Sequence, residues 1–171
     1  MTNGHIGTQY DRLDPEHCTR DGERPSRNDI ITFFDTRYGI DPATFAPYSF
    51  WERGKGKIWA FRGEQQTPAR VEAMGIHLLR TDSQFWKPTT DAMQLFGRYA
   101  TENIIELEEE EANAFWRGVE VEIVWTGDPR YVIVARDYGD TTTPIGVGLA
   151  RESRLESLVP KGRQRDHDRS N

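Results

Sequence analysis

The stretch from Lys87 to Gly118 constrains the fold most, because its start and stop signals leave little freedom. Pro88, Thr89 and Thr90 form a helix start signal, and Ala92, Leu95, Phe96 and Tyr99 follow at the i, i+3, i+4, i+7 spacing of one amphipathic face. Asn103 to Leu107 is a short β-branched apolar run suited to a buried strand. A second helix begins in the four glutamates Glu108–Glu111, turns Ala112, Phe115 and Trp116 inward and stops at Gly118. A helix–strand–helix unit of this kind needs a sheet to close on, and the rest of the chain has to supply it.

With 171 residues, 36% of them hydrophobic, and five tryptophans, the chain is able to bury a sizeable core. One cysteine, Cys18, excludes an internal disulfide and any multi-cysteine zinc or iron–sulfur site, which fits a reducing cytoplasm. No segment is long and apolar enough to span a membrane, and the polar N-terminus lacks the apolar stretch of a secretory signal. These features predict a soluble cytoplasmic protein with no membrane partner.

The net charge of -6 is localised. Between Glu102 and Glu122 eight glutamates face one arginine, a balance of -7 that leaves the remainder near +1. Glu108–Glu111 sit where exposed N–H groups and the helix dipole favour negative charge, so a solvated helix start is the expected reading rather than an acid/base or metal site.

Residues 1–25 lack hydrophobic periodicity and predict a disordered tail holding His17 and Cys18, which have no ligand partners at a workable spacing. Ser26 and Asp29 resemble a capping box, after which Ile30, Phe33, Phe34 and Tyr38 make the apolar face of a first helix ending at Gly39. Tyr48–Arg53 and Lys57–Arg62 read as a hairpin around Gly54-Lys55-Gly56. Aromatics interleaved there with Arg53, Lys55 and Lys57 are able to stack bases and hold phosphates, although alternate aromatics facing a core account for the pattern more simply. Arg70–Ala73 predicts a helical turn and Ile76–Arg80 a strand carrying His77, a structural histidine on this reading.

Beyond Gly118, Tyr131–Arg136, Pro144–Ala150 and Arg154–Val159 predict three successive short strands, which favour a small mixed barrel over a parallel α/β sheet. Gly146 and Gly148, on one face of the second of these, allow close backbone approach or a barrel bend. From residue 151 to 165 the cations Arg151, Arg154, Lys161, Arg163 and Arg165 outnumber Glu152 and Glu156, a balance of +3 suited to phosphate contact. There is no Gly-rich phosphate loop, nucleophile elbow, His-Glu-x-x-His or Cys-x-x-Cys, and no carboxylate spacing singles out an acid/base pair. The expectation is a protein that is not an enzyme and carries no cofactor or metal.

The ordered residues of the C-terminal half carry a resemblance. They are Lys87-Pro88-Thr89, Ala92-Met93, Ile104–Leu107, Glu110-Glu111-Ala112, Phe115-Trp116-Arg117-Gly118, Tyr131–Val134, Pro144–Gly148, Arg154–Ser157 and Pro160-Lys161-Gly162-Arg163. This string resembles a PUA-type RNA-binding domain, in particular the C-terminal domain of Sun/Fmu-type RNA cytosine-5 methyltransferases, and PUA-containing ribosome-biogenesis proteins show a similar pattern. The most specific piece is the Pro-Lys-Gly ending, followed here directly by Arg163. The chain departs from the methyltransferases in lacking their catalytic domain.

The resemblance implies an α+β fold: a PUA-like mixed β pseudo-barrel with flanking helices over residues 86–165, preceded by a small α/β extension over 26–85 and followed by a flexible tail over 166–171. It implies recognition of structured rRNA or tRNA through Arg117 and Gly118 at the helix end and Arg154, Lys161 and Arg163 at the closing strand, with Arg151 and Arg165 joining them from the basic segment. The implied function is non-catalytic RNA binding in ribosome assembly or RNA modification, with an RNA methyltransferase or ribosomal protein as partner. The alternative is a protein-interaction adaptor whose acidic helix docks basic partners.

Overall fold

The computed structural model describes residues 7–18, 24–64, 69–71 and 74–168. The chain divides into two compact units, residues 1–36 with 41–87, and residues 37–40 with 88–171. The described residues form an α+β fold with two sheets, one of them curled into the half-barrel of a pseudo-barrel.

In the first unit, strands β1 (Thr8–Arg12), β2 (Tyr48–Glu52), β3 (Lys57–Arg62), β4 (Ala69–Val71) and β5 (Ile76–Arg80), with a short β6 (Lys87–Pro88), form a sheet in the order β4-β1-β2-β3-β5-β6. Helix α1 (Arg27–Tyr38) starts at the capping box read from the sequence. The Ser26 N–H donates to Asp29 Oδ2 at 2.8 Å and the Asp29 N–H to Ser26 Oγ at 3.1 Å, which satisfies two N–H groups a helix start leaves open. Ile30 and Phe34 are fully buried, and Phe34, Phe45 and Phe50 form a chain of ring contacts at 5.2 and 5.8 Å. Arg27 adds polar cement by donating to Phe45 O at 2.8 Å and to Tyr48 O at 3.1 Å.

Three sequence expectations are corrected in this unit and at the chain's end. The predicted disordered tail contains β1, paired with β2 and β4, with Tyr10 fully buried and the Leu13 N–H bonded to Phe50 O at 2.9 Å. Pairing of its backbone on both edges holds this segment, so two inward side chains suffice where periodicity analysis looks for more. Residues 1–6 and 19–23 of that expectation lie outside the described residues. The predicted helical turn at Arg70–Ala73 is instead the strand β4 through Val71, with 72–73 outside the described residues. The predicted C-terminal tail is helical through Asp168, as part of α4 (Lys161–Asp168), and residues 169–171 lie outside the described residues.

The second unit contains α2 (Thr90–Phe96), β7 (Ile104–Leu107), α3 (Glu109–Trp116), β8 (Val121–Glu122), β9 (Tyr131–Asp137), β10 (Thr142–Arg151), β11 (Arg154–Ser157) and α4. The sheet order is β7-β9-β10-β11-β8, with β7 parallel to β9 and the other pairs antiparallel. β9 is buried on both faces from Val132 to Ala135, as its continuous apolar run requires when helices cover both sides. Val132 and Val134 join Phe115 and Ala112 of α3 in one cluster, while Ile133 lies beside Gly97 just after α2.

Thr89 caps α2 by accepting from the Ala92 N–H at 3.1 Å. The buried face of α2 is Ala92, Met93 and Phe96, whereas Leu95 and Tyr99, expected inside, are exposed. The α-helix ends at Phe96 and continues as a 3₁₀ turn, whose tighter winding carries Tyr99 off the face, while Leu95, inside the α-helix, sits at the edge of the buried stripe.

Tyr38, fully buried, donates its hydroxyl to Tyr131 O at 3.0 Å, and the Arg37 carbonyl accepts from Asn103 Nδ2 at 2.6 Å. Burial pushes the Tyr38 hydroxyl well above the usual tyrosine range, against an opposing pull from Arg37. The folded state holds this proton more tightly, so its contribution to stability is intact below the unfolded tyrosine pKa of about 10 and is lost as pH rises above it. Chemical denaturation is expected to show an alkaline loss of stability that Tyr38→Phe reduces, at a cost of about 1 kcal/mol near neutral pH from the lost hydrogen bond.

Candidate nucleic-acid interface

The end of α3 is built by backbone geometry. The Gly118 N–H donates to Phe115 O at 3.0 Å and the Val119 N–H to Ala114 O at 2.9 Å, the pair of bonds that closes a helix with a left-handed residue. Gly118 has φ +82°, and a Cβ there would meet the Gln164 carboxamide at 2.6 Å. Glycine is therefore needed for the turn, and it leaves room for the Gln164 side chain to lie close. Gln164 is fixed there by donating to Val159 O at 2.8 Å.

This contact brings part of the sequence-predicted set together. Arg117 precedes Gly118, and Lys161 lies one helical turn before Gln164, so both flank the same junction. Both are exposed, and neither forms an ion pair among the described residues. Arg163, on the same helix, is half-buried and tied to Asp91, with Gln94 Oε1 at 3.5 Å. Its charge is spent on fastening α4 beside α2. Arg165 lies on the α4 backbone, but its side chain falls outside the described residues.

Arg151 and Arg154 are elsewhere. They face each other across the β10–β11 turn, at the opposite end of β11 from α4. Four strand residues put about 10 Å between the ends of β11. The seven residues thus fall at two places: Arg117, Gly118, Lys161, Arg163 and Arg165 at the α3–α4 junction, and Arg151 and Arg154 at the hairpin tip.

Arg154 is also electrostatically committed, standing 3.6 Å from Glu120 and opposite Glu122 in the strand register. It borders an open groove of about 850 Å³ that is lined by Glu106, Glu111, Glu120 and Glu122 over Ile105, Leu107 and Ile123. Four carboxylates against one guanidinium make this groove hostile to phosphate. The glutamate run at the start of α3 is divided in its roles. Glu109 pairs with Arg136 at 2.8 Å, and Glu111 accepts from the Glu108 N–H at 3.4 Å while lining the groove. Neither the groove nor the Arg163–Asp91 tie is visible in local sequence, because their members meet only through β7, β8 and α2.

Among the described residues no three His, Cys, Asp or Glu side chains are grouped to hold a metal ion, and no helix is long and apolar enough to cross a membrane. His17 and Cys18 are exposed, with His17 Nδ1 3.3 Å from Asp14. His77 stacks on Trp59 at 5.1 Å.

Over residues 1–75 the chain matches the model of a family described only as of unknown function, DUF7122. No curated protein matches it. The family match ends just before β5 and so covers none of the residues at the α3–α4 junction.

Proposed function

We propose that the protein is a non-catalytic RNA-binding protein that contacts structured rRNA or tRNA in ribosome assembly or RNA modification, in the cytoplasm, beside a separately encoded methyltransferase. The observation that carries this reading is the seating of Gln164 against Gly118, which sets exposed Arg117 and Lys161 at one junction of α3 and α4. Two unpaired cations flanking a helix end suit a phosphate backbone, which supplies most sequence-independent affinity for nucleic acid. The PUA-type resemblance points to the same helix end. Arg163 supports the site by positioning α4, and the hairpin-tip Arg154 is left out of the contact set because Glu120 and Glu122 neutralise it.

The double variant Arg117→Gln/Lys161→Gln is expected to weaken binding to folded rRNA or tRNA fragments on the order of tenfold and to flatten the slope of log affinity against log salt by about 1.8. An unchanged slope in a folded variant would remove this junction from the interface.

A second reading has its own observation: the groove with four glutamates, beside which Val124 is 93% exposed, fits a basic protein segment carrying an apolar residue. Pull-down before and after nuclease treatment separates the two, because a protein docked in that groove stays bound when RNA is destroyed.

A further inference from the structure

The sheet of the first unit segregates charge between its two faces. The registers Arg12↔Trp51, Trp51↔Trp59 and Trp59↔His77 place these side chains on one face, and alternation adds Tyr10, Lys57 and Phe61. Asp11 and Glu52 pair with each other in the register of the opposite face, where Glu52 is held by Arg24 Nε at 3.0 Å. Every charged residue that β1, β2, β3 and β5 set on the aromatic face is therefore a cation. Glu64 pairs with Arg12 at 2.7 Å and Asp82 with Arg80 at 3.0 Å, which leaves Lys57, and Arg53 just beyond β2, without an ion pair among the described residues.

The rings on this face form a ladder over a small core cluster: Tyr10, Trp51 and Met74 are buried, and the half-buried Trp59 and Phe61 pack against them. The Arg53 guanidinium lies 5.9 Å from the ring centres of both Tyr10 and Trp59, and Trp59 stacks on His77 with an interplanar angle of 17°. Trp59, Phe61 and His77 are half-buried, so part of the ladder meets solvent. Beneath it, two donors lack acceptors among the described residues: the hydroxyl of Tyr10, whose side chain is fully buried, and Trp59 Nε1. Both atoms are shielded from solvent, so they are a local cost to the fold and not contact points for a ligand.

We propose that this face binds an unpaired stretch of RNA, with bases packing against the exposed parts of Trp59 and Phe61 and phosphates meeting Arg53 and Lys57. Cations at the hairpin end of the face disfavour a cationic ligand, and the partly exposed rings favour a flat one. A nucleotide chain meets both requirements, whereas an acidic peptide meets only the charge. The proposal stands on the first unit alone and does not need the Arg117–Lys161 junction to bind.

The test uses the full chain and a fluorescein-labelled oligouridylate about 12 nucleotides long, followed by anisotropy at several salt concentrations. Trp59→Leu is expected to weaken binding at least about fivefold. Arg53→Gln/Lys57→Gln, at positions outside the core, is expected to weaken it and to flatten the salt slope by about 1.4, the value for two phosphate contacts on a single strand. The double variant keeps the test decisive if Trp59→Leu fails to fold. Absence of oligouridylate binding at about 50 mM salt by folded protein overturns the proposal. So does full affinity in the double variant, or displacement by polyphosphate at the same phosphate concentration as by oligouridylate, since polyphosphate carries no bases. Failure with oligouridylate alongside salt-sensitive binding of structured RNA overturns this proposal alone and leaves the proposed function standing.

Discussion

Phe115→Ala is expected to cost about 3–5 kcal/mol and to remove most of the stability of the second unit. Phe115 is fully buried, and its ring lies in the cluster that joins α3 to β7, β8, β9, β10 and β11. Truncation removes the ring's transfer energy and leaves a cavity walled by strand residues that hydrogen-bond to one another, so the site cannot collapse easily. A domain is stable by only about 5–15 kcal/mol, which makes this a large fraction of the whole. Phe115→Leu, which keeps most of the apolar volume, is expected to cost less than the alanine variant. Calorimetry of the full chain checks both, and a cost below about 1 kcal/mol for the alanine variant would mean that α3 is not packed as described.

Gly75→Ala should be nearly as damaging to the first unit. Gly75 has φ +59°, a region that costs an ordinary residue about 1–2 kcal/mol. The larger problem is steric: a Cβ there would stand 1.9 Å from the Ala60 carbonyl oxygen and 2.8 Å from its carbon. Those atoms are backbone, so no rotamer change relieves the overlap. The chain entering β5 has to move away from β3, disturbing the Ala60↔Ile76 pair that starts their ladder. A loss of about 3 kcal/mol or more is expected in a urea titration, the tail of the range for single substitutions. A midpoint equal to that of the unaltered protein would contradict the β3–β5 geometry.

Legibility in the sequence follows the range of the forces involved. The capping box at Ser26 and Asp29, the hairpin turn at Gly54-Lys55-Gly56 and the stop at Gly118 are local signals, and each appears where its residues imply. β1 and β4 are held by pairing with each other and by β1's pairing with β2, contacts that no short window contains. The 3₁₀ turn from Gly97 to Tyr99 takes Tyr99 off the buried face of α2, a change of winding that residue spacing does not show.

The candidate interface was legible only as a supply of cations. Counting charge along the segment from 151 to 165 finds cations without finding their partners. Asp91 lies 72 positions before Arg163, and Glu120 reaches Arg154 through the pairing of β8 with β11. Long-range ion pairs of this kind remove two arginines from a phosphate-contacting set that composition alone makes look uniform. The aromatic ladder of the first unit shows the converse. Its alternating pattern fits a core as well as a binding face, and the one-sided charge appears only when the strands are set side by side.

The proposed function has the junction of α3 and α4 meet RNA. Its most direct test is the binding of the unaltered protein to structured rRNA and tRNA fragments, measured by filter retention across salt concentrations at which the protein stays folded. The proposed function predicts saturable binding whose affinity falls with salt at a log–log slope of about -2 or steeper, as two or more neutralised phosphates require. Absence of retention at low salt, or an affinity indifferent to salt, would contradict it.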